Sequence, residues 1–277
     1  MSVISTLITR ASTVHTSDSL VTKLLPDGRY EPGVWQETKI VPVRAWRGAL
    51  SYWGLSLRDG QWSTLQWLRD QSRRAGASKS PQAFAEAMVA ELNSSLGKMA
   101  LKRPEEAGIG IHFSAYERVD LRWIPELFLV TNYADPTYRT LRPMGVSRET
   151  HHILFGQEPS SQDGEAPSRL EVANALENGR WLIYNNGDPW LYNIAANSIL
   201  QMACKLQARG ILRGPDDIEV LRALARRPVE VVSTIQHDFC VPDKRVVGGR
   251  IHDLAITPSG DYSSTSGDAG EANQPRS

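Results

Sequence analysis

Four short segments rich in β-favouring residues predict strands near the start of the chain. They are residues 3–8 (VISTLI), 13–17 (TVHTS), 39–43 (KIVPV) and 49–53 (ALSYW). Residues 9–12 interrupt the first two segments and predict a tight turn between them. Residues 24–34 contain two prolines and two glycines, which favours a loop.

The periodicity then changes to that of helices. Residues 63–71 and 81–96 predict two helices, because their apolar residues recur at helical spacing. The second helix begins at Ser80-Pro81, which combines a good cap with proline in the first turn. Residues 108–116 and 126–133 then predict two more strands.

The second half of the chain is predicted to be mainly helical. Residues 189–207 predict the clearest helix. Its apolar face is expected to contain Ile194, Ile199, Met202 and Leu206. Another helical region follows Pro215, and Pro228 is expected to break it in two, because proline removes a helix hydrogen bond. Residues 246–257 predict a closing strand.

This order of elements favours antiparallel sheets between helical layers over alternating βαβ units. We therefore predict an α+β fold with a single domain over residues 1–257. Residues 143–168 lack clear periodicity and predict an irregular insertion. Residues 258–277 are rich in Ser, Gly, Asp and Asn, and predict a disordered tail.

Composition and charge narrow the classes of function. Of the 277 residues, 41% are hydrophobic and 22% are charged, as in ordinary globular proteins. The 31 Lys and Arg balance the 31 Asp and Glu, so the chain lacks the basic excess of a typical nucleic-acid-binding protein. We expect no nucleic-acid partner.

No sequence feature indicates a membrane span, a metal site or a cofactor. The N-terminal residues MSVISTLITRAS lack the basic start and long apolar run of a signal peptide, which predicts a cytoplasmic protein without a membrane partner. Cys204 and Cys240 form neither a disulfide framework nor a zinc pattern. His151-His152 has no carboxylate or cysteine at metal-binding spacing.

The start of the chain offers a candidate nucleophile. Ser2 directly follows Met1, and a small second residue generally permits removal of the initiator methionine. Ser2 would then carry a free α-amine, whose ordinary pKa of about 7.7–8.0 suits a base for its own weakly nucleophilic hydroxyl. Threonine with its own N-terminal amine is a known variant of the same catalytic logic.

Several short motifs follow Ser2 in a characteristic order. They are TSDS at 16–19, TKIVPV at 38–43, YWG at 52–54 and VGGRI at 247–251. With the two helices predicted after Gly54, this order resembles proteasome-type β subunits and their bacterial relatives, a family of N-terminal-nucleophile (Ntn) hydrolases. Asp18 follows Ser2 by sixteen residues, the same interval as in that family. The resemblance implies a four-layer αββα sandwich of two antiparallel sheets between helices.

The resemblance also implies roles for four residues. Ser2 would attack an acyl carbon while its amine accepts the proton. Lys39 would lower the cost of negative charge near the hydroxyl, and Asp18 would pair with Lys39. The backbone N–H near Gly54 would help to stabilise the oxyanion. Peptide or protein substrates and a homo-oligomeric ring or stacked assembly would be expected, and an ATPase partner is left open.

Each of these residues also has a purely structural interpretation. Ser2 suits an inert processed terminus, Asp18 a turn cap, Lys39 a solvated lysine on an edge strand, and Gly54 a strand end. The alternatives to a peptidase are therefore a non-catalytic assembly subunit and a small-molecule amidase on the same fold.

The acidic residue that completes the family's site later in the chain has two candidates. These are Asp188 and Asp238, and both are better explained as residues at helix ends.

Overall fold

A computed structural model of the protein describes residues 2–24, 30–58, 62–99, 108–133, 141–149, 154–155, 169–187, 189–212, 216–241, 245 and 247–268. The strands, in chain order, are β1 Ile4–Ile8, β2 Thr13–Asp18, β3 Leu20–Leu24, β4 Tyr30–Gln36, β5 Ile40–Val43, β6 Gly48–Gly54, β7 Leu57–Arg58, β8 Trp62–Ser63, β9 Ile109–Val119, β10 Arg122–Tyr133, β11 Leu141–Arg148, β12 Leu154–Phe155, β13 Trp181–Asn186, β14 Arg250–Ile256 and β15 Tyr262–Asp268. The α-helices are α1 Thr64–Arg74, α2 Pro81–Leu96, α3 Arg169–Glu177, α4 Pro189–Ala208 and α5 Ile218–Phe239. None of these described helices has the length and apolar content needed to cross a membrane.

The hairpin of β1 and β2 forms the middle of a six-stranded antiparallel sheet, in the order β12-β13-β1-β2-β14-β15. Its register places Ile4 opposite Ser17 in β2 and opposite Asn186 in β13. On the other side of the hairpin, Asp18 lies opposite Ile251 of β14. The start of β1 and the end of β2 are therefore enclosed by backbone from two distant parts of the chain.

A second antiparallel sheet has five strands, in the order β11-β10-β9-β6-β5. Strand β5 begins directly after Lys39 and pairs with β6, so that Ile40 lies opposite Ser51. The strands predicted over residues 108–116 and 126–133 are confirmed as β9 and β10. Two further strand pairs, β3 with β4 and β7 with β8, lie outside both sheets.

Helices cover one side of each sheet, and the other sides of the two sheets contact each other. Apolar residues of α4 and α5 pack on the six-stranded sheet. Those of α1 and α2 pack on the five-stranded sheet, with Phe84 against Phe113. Between the sheets, Ile4 belongs to the same apolar cluster as Trp53. The prediction of an α+β fold with two antiparallel sheets is confirmed.

Helix α4 confirms the prediction over residues 189–207, but the predicted apolar face was wrong in part. Ile199 packs against the core, whereas Ile194 and Met202 are 58% and 59% exposed. The most buried positions are instead Tyr192, Ala196 and Leu200, together with other alanines.

Helix α5 is continuous through Pro228, so the prediction of a break there was wrong. Proline in a helix interior removes one backbone hydrogen bond, at a cost of about 3 kcal/mol. Pro228 is buried in this helix between Leu224 and Val232, which both belong to the core under the six-stranded sheet. Burial of the apolar face on both sides of Pro228 offsets the lost bond.

Three segments predicted to be irregular contain strands. Residues 30–34 belong to β4, residues 143–148 to β11, and residues 262–268 to β15, so the loop, insertion and tail predictions were wrong there. Each segment pairs with a neighbouring strand that offers backbone hydrogen bonds, which a polar composition does not prevent. Residues 25–29, 150–153, 156–168 and 269–277 lie outside the described residues.

Two elements of the second half were not predicted. Strand β13 inserts beside β1 in the six-stranded sheet. Helix α3 precedes it and packs Val172 and Leu176 against residues of both sheets, including Leu127 of β10 and Leu182 of β13. Both elements are short, and the partner of β13 in the middle of the sheet, β1, lies about 180 residues away in the sequence.

Candidate active site

The β1–β2 hairpin brings Ser2 close to Asp18. Ser2 lies two residues before the first residue of β1, and Asp18 is the last residue of β2. The backbone N–H of Val3 donates to Asp18 Oδ1 at 3.0 Å, and the N–H of Asp18 donates to the carbonyl of Val3 at 3.3 Å. Antiparallel pairing of two short strands therefore places the acid beside the candidate nucleophile.

Lys39 reaches this point from the neighbouring sheet. Its Nζ donates to Ser2 Oγ at 2.7 Å, to Asp18 Oδ1 at 3.2 Å and to the carbonyl oxygen of Leu20 at 2.7 Å. A protonated lysine has three N–H donors, so these three acceptors use all of them. The structure thus joins Ser2, Asp18 and Lys39, three of the four residues predicted to form the site.

Ser2, Asp18 and Lys39 are almost completely buried. Ser2 is 7% exposed, and Asp18 and Lys39 are both 0% exposed. The interpretation of Lys39 as a solvated lysine on an edge strand was therefore wrong. Burial costs a charged pair several kcal/mol unless its hydrogen bonds are complete.

Burial also changes the protonation of the pair. Desolvation lowers the pKa of Lys39, and the charges of Asp18 and Glu37 oppose that shift only in part. Desolvation likewise raises the pKa of Asp18, against the attraction of Lys39 and the hydrogen bonds from Val3 and Gly248. Desolvation acts on both groups towards their neutral forms, and the mutual attraction of the pair acts towards the charged forms.

Two glycines that the sequence did not assign to the site contact its residues through their backbones. The N–H of Gly248 lies 3.4 Å from Asp18 Oδ2, and the carbonyl of Gly248 accepts from Leu20 at 3.0 Å. Gly187, with φ of +117°, follows β13 and lies so close that a Cβ there would be 1.5 Å from the carbonyl oxygen of Ser2. Close backbone approach and positive φ together require glycine at position 187.

Gly54 ends β6 with φ of +90° and packs on the backbone of Gly108. Among the residues that the structure describes, no contact joins Gly54 to Ser2, so its role as an oxyanion donor stays a prediction. Asp238 lies at the end of α5 with a side chain 51% exposed, where it pairs with His237. It does not belong to the buried group. Asp188, Met1 and His151-His152 lie outside the described residues.

A second buried polar group lies between the two sheets and was not predicted. We call it the interlayer cluster, and it consists of Thr6, His15, Ser51, His112, Ser114 and Asn186. Its hydrogen bonds cross from one sheet to the other, and each histidine uses both ring nitrogens. Burial lowers the pKa of His15 to about 3, and burial with the neighbouring His15 lowers that of His112. Both imidazoles are therefore neutral in the folded protein at physiological pH.

Comparison with known proteins identifies no family. No protein-family model matches the chain, and no curated protein matches it.

Proposed function

We propose that the protein is an N-terminal-nucleophile amide hydrolase of the proteasome type, with Ser2 as its nucleophile after removal of Met1. The observation that carries this proposal is the buried Lys39 Nζ, 2.7 Å from Ser2 Oγ and 3.2 Å from Asp18. A purely structural lysine rarely accepts the cost of complete burial beside a serine hydroxyl at the start of the chain.

In this proposal Lys39 is the protonated partner of Asp18, so it stabilises negative charge on Ser2 Oγ and is not the base. The α-amine of Ser2, freed by removal of Met1, is on the same residue and has a suitable pKa. Asp18 holds Lys39 in place and balances its charge.

The reaction would proceed through an ester on Ser2. The hydroxyl oxygen bonds to the amide carbon as its proton moves to the α-amine. The tetrahedral intermediate then expels the amine, which takes that proton from the α-ammonium and leaves an acyl ester on Oγ. Water, deprotonated by the same α-amine, attacks the ester, and Ser2 and a carboxylic acid are released. A backbone N–H near Gly54 is the proposed oxyanion donor, worth about 10²–10³ in turnover.

The layer arrangement supports the same proposal. Apolar residues of two helices pack on each sheet, and the two sheets share an apolar cluster between them. We propose that these layers form the four-layer αββα sandwich of an Ntn hydrolase. We extend the proposal to a homo-oligomer that cleaves peptides, in keeping with the family that the motifs resemble.

The test begins with the N-terminus. Intact-mass measurement of the purified protein should show loss of Met1, and an electrophile directed at serine and threonine nucleophiles should add one label at Ser2. Ser2→Ala keeps a small second residue and should still lose Met1, but it should lose labelling and amide hydrolysis. Ser2→Thr should retain both. Ser198→Ala, at an exposed position on α4, is the matched control.

Retained Met1 without other processing would refute the proposal. Full processing without labelling or hydrolysis would favour a non-catalytic assembly subunit. Turnover of small acyl amides but not of a peptide library would favour a small-molecule amidase.

A further inference from the structure

His112 connects the two strands whose ends meet at Ser2. It lies on β9 of the five-stranded sheet and is fully buried. Its Nδ1 lies 3.0 Å from Thr6 Oγ1 on β1, and its Nε2 lies 2.9 Å from Asn186 Nδ2 on β13. Because β1 and β13 are neighbours in the six-stranded sheet, one imidazole bonds to both of them from the opposite sheet.

The two ring nitrogens of His112 have opposite hydrogen-bonding roles. The side-chain amide of Asn186 donates to Nε2, so the ring proton lies on Nδ1 and is donated to Thr6 Oγ1. Burial lowers the pKa of His112, which keeps the ring in this neutral form. The rings of Trp53 and Tyr184 pack against the imidazole, with centroids 5.8 and 5.1 Å from its own. These contacts fix the plane of the ring as well as its tautomer.

The bond between His112 and Asn186 acts one residue from the backbone of the candidate nucleophile. Ile4 lies opposite Asn186 in the pairing of β1 with β13, and Gly187 follows Asn186 directly. A Cβ on Gly187 would be 1.5 Å from the carbonyl oxygen of Ser2, so the two backbones are already in close contact. A shift at the end of β13 therefore displaces Ser2.

We propose that His112 is a positioning residue for Ser2. By bonding to β1 and β13 together, it holds Gly187 against the backbone of Ser2 and so keeps Ser2 Oγ at its 2.7 Å distance from Lys39 Nζ. This inference rests on the proposed function, because it concerns the same nucleophile. It gives part of the interlayer cluster a role beyond stability.

The test compares His112→Phe with His112→Gln. Phenylalanine keeps a ring of similar shape but has neither nitrogen, whereas glutamine retains one donor and one acceptor. His112→Phe should lower kcat for a fluorogenic amide, and the rate of electrophile labelling at Ser2, roughly 10- to 100-fold, because a displacement of about 1 Å costs up to roughly 10² in rate. KM should change little, since the buried imidazole does not meet the substrate. His112→Gln should recover most of the lost rate.

Ser114→Ala is the matched control for damage to the cluster. Ser114 lies on the same strand as His112, is 2% exposed, and its Oγ lies 2.7 Å from His15 Nε2 in the same cluster. The variant should lower thermal stability but leave kcat and labelling unchanged below its melting temperature. Equal losses of labelling in Ser114→Ala and His112→Phe would overturn the inference. A loss in His112→Gln as large as in His112→Phe would overturn it too.

Asn186→Leu tests the same bond from the half-buried end of β13, away from the centre of the core. It also removes a hydrogen bond to Tyr184, which Tyr184→Phe removes without touching His112 Nε2. Asn186→Leu should lower the labelling rate, and Tyr184→Phe should not. Labelling of Asn186→Leu at the full rate contradicts the inference even where His112→Phe fails to fold.

Hydrogen exchange separates this inference from the proposed function. Mass spectrometry of peptides that contain residues 2–8 and 181–187 should show faster amide exchange in His112→Phe than in Ser114→Ala, whether or not Ser2 reacts. If that difference is found in a protein that is neither labelled nor active, the hydrolase proposal alone is contradicted. Unchanged exchange together with unchanged labelling in His112→Phe contradicts the positioning role alone.

Discussion

The two buried histidines of the interlayer cluster should make the stability of the protein fall in mild acid. In the unfolded chain, histidine has a pKa of about 6.5. In the folded protein, burial lowers the pKa of His15 to about 3. Below pH 6.5 the unfolded state therefore binds a proton that the folded state excludes. The stability contributed by the neutral imidazole is complete above pH 6.5 and is lost as the pH falls towards 3.

The size of the effect follows from proton linkage. Each histidine with this difference should reduce the free energy of unfolding by about 1.4 kcal/mol per pH unit within that window. Between pH 6.5 and pH 4.5 this amounts to roughly 2.5 kcal/mol for His15. His112 acts in the same direction. Asn186 Nδ2 lies 2.9 Å from its Nε2, so protonation there sets two donors against each other.

The variant His15→Gln removes the pH-dependent contribution of His15 to the free energy of unfolding. Glutamine does not titrate but retains a donor and an acceptor for Ser51 and Ser114. The variant should be less stable than the original protein at pH 7.5, because it loses part of the cluster. Its deficit should shrink by roughly 2.5 kcal/mol between pH 6.5 and pH 4.5. Urea unfolding followed by tryptophan fluorescence at each pH measures both quantities.

A histidine outside the cluster provides the control. His237 is exposed at the end of α5, and His237→Gln should change the free energy of unfolding little at any pH in this range. A deficit of His15→Gln that stays constant with pH would refute the reasoning. It would mean that the imidazole of His15 titrates alike in the folded and unfolded states.

Two further predictions concern the candidate site. Asp18→Asn leaves Lys39 buried without its carboxylate partner and should lower the free energy of unfolding by about 3–5 kcal/mol. Asp18→Asn combined with Lys39→Met should recover most of that loss in thermal melts and still abolish labelling of Ser2. A double variant no more stable than the single variant would contradict the buried ion pair. Gly187→Ala should displace the backbone of Ser2, because the added Cβ would lie 1.5 Å from the carbonyl oxygen of Ser2. It should therefore reduce electrophile labelling far more than Gly145→Ala, where a Cβ meets nothing within 4 Å. Equal labelling of the two variants would contradict the close approach.

Local sequence determined the elements that carry the site. The β1–β2 hairpin depends on two β-rich segments and a short turn, all within twenty residues, and its register follows from that turn. The pairing of β5 with β6 is equally local. Ser2, Asp18 and Lys39 were identified from motifs that resemble those of a known family, and local strand pairing explains why residues so close in sequence also meet in space.

Tertiary structure decided whether these residues form a buried group. A lysine before an apolar strand has the same sequence pattern whether it is solvated or covered, and only contact between the two sheets buries Lys39 beside Ser2. Strand β13 reaches β1 from about 180 residues away, and Gly187 and Gly248 enclose the site through such distant pairings. The interlayer cluster likewise needs both sheets, since His15 bonds to Ser51 and His112 to Asn186 across the interface. These contacts depend on pairing between remote segments, which local periodicity does not encode.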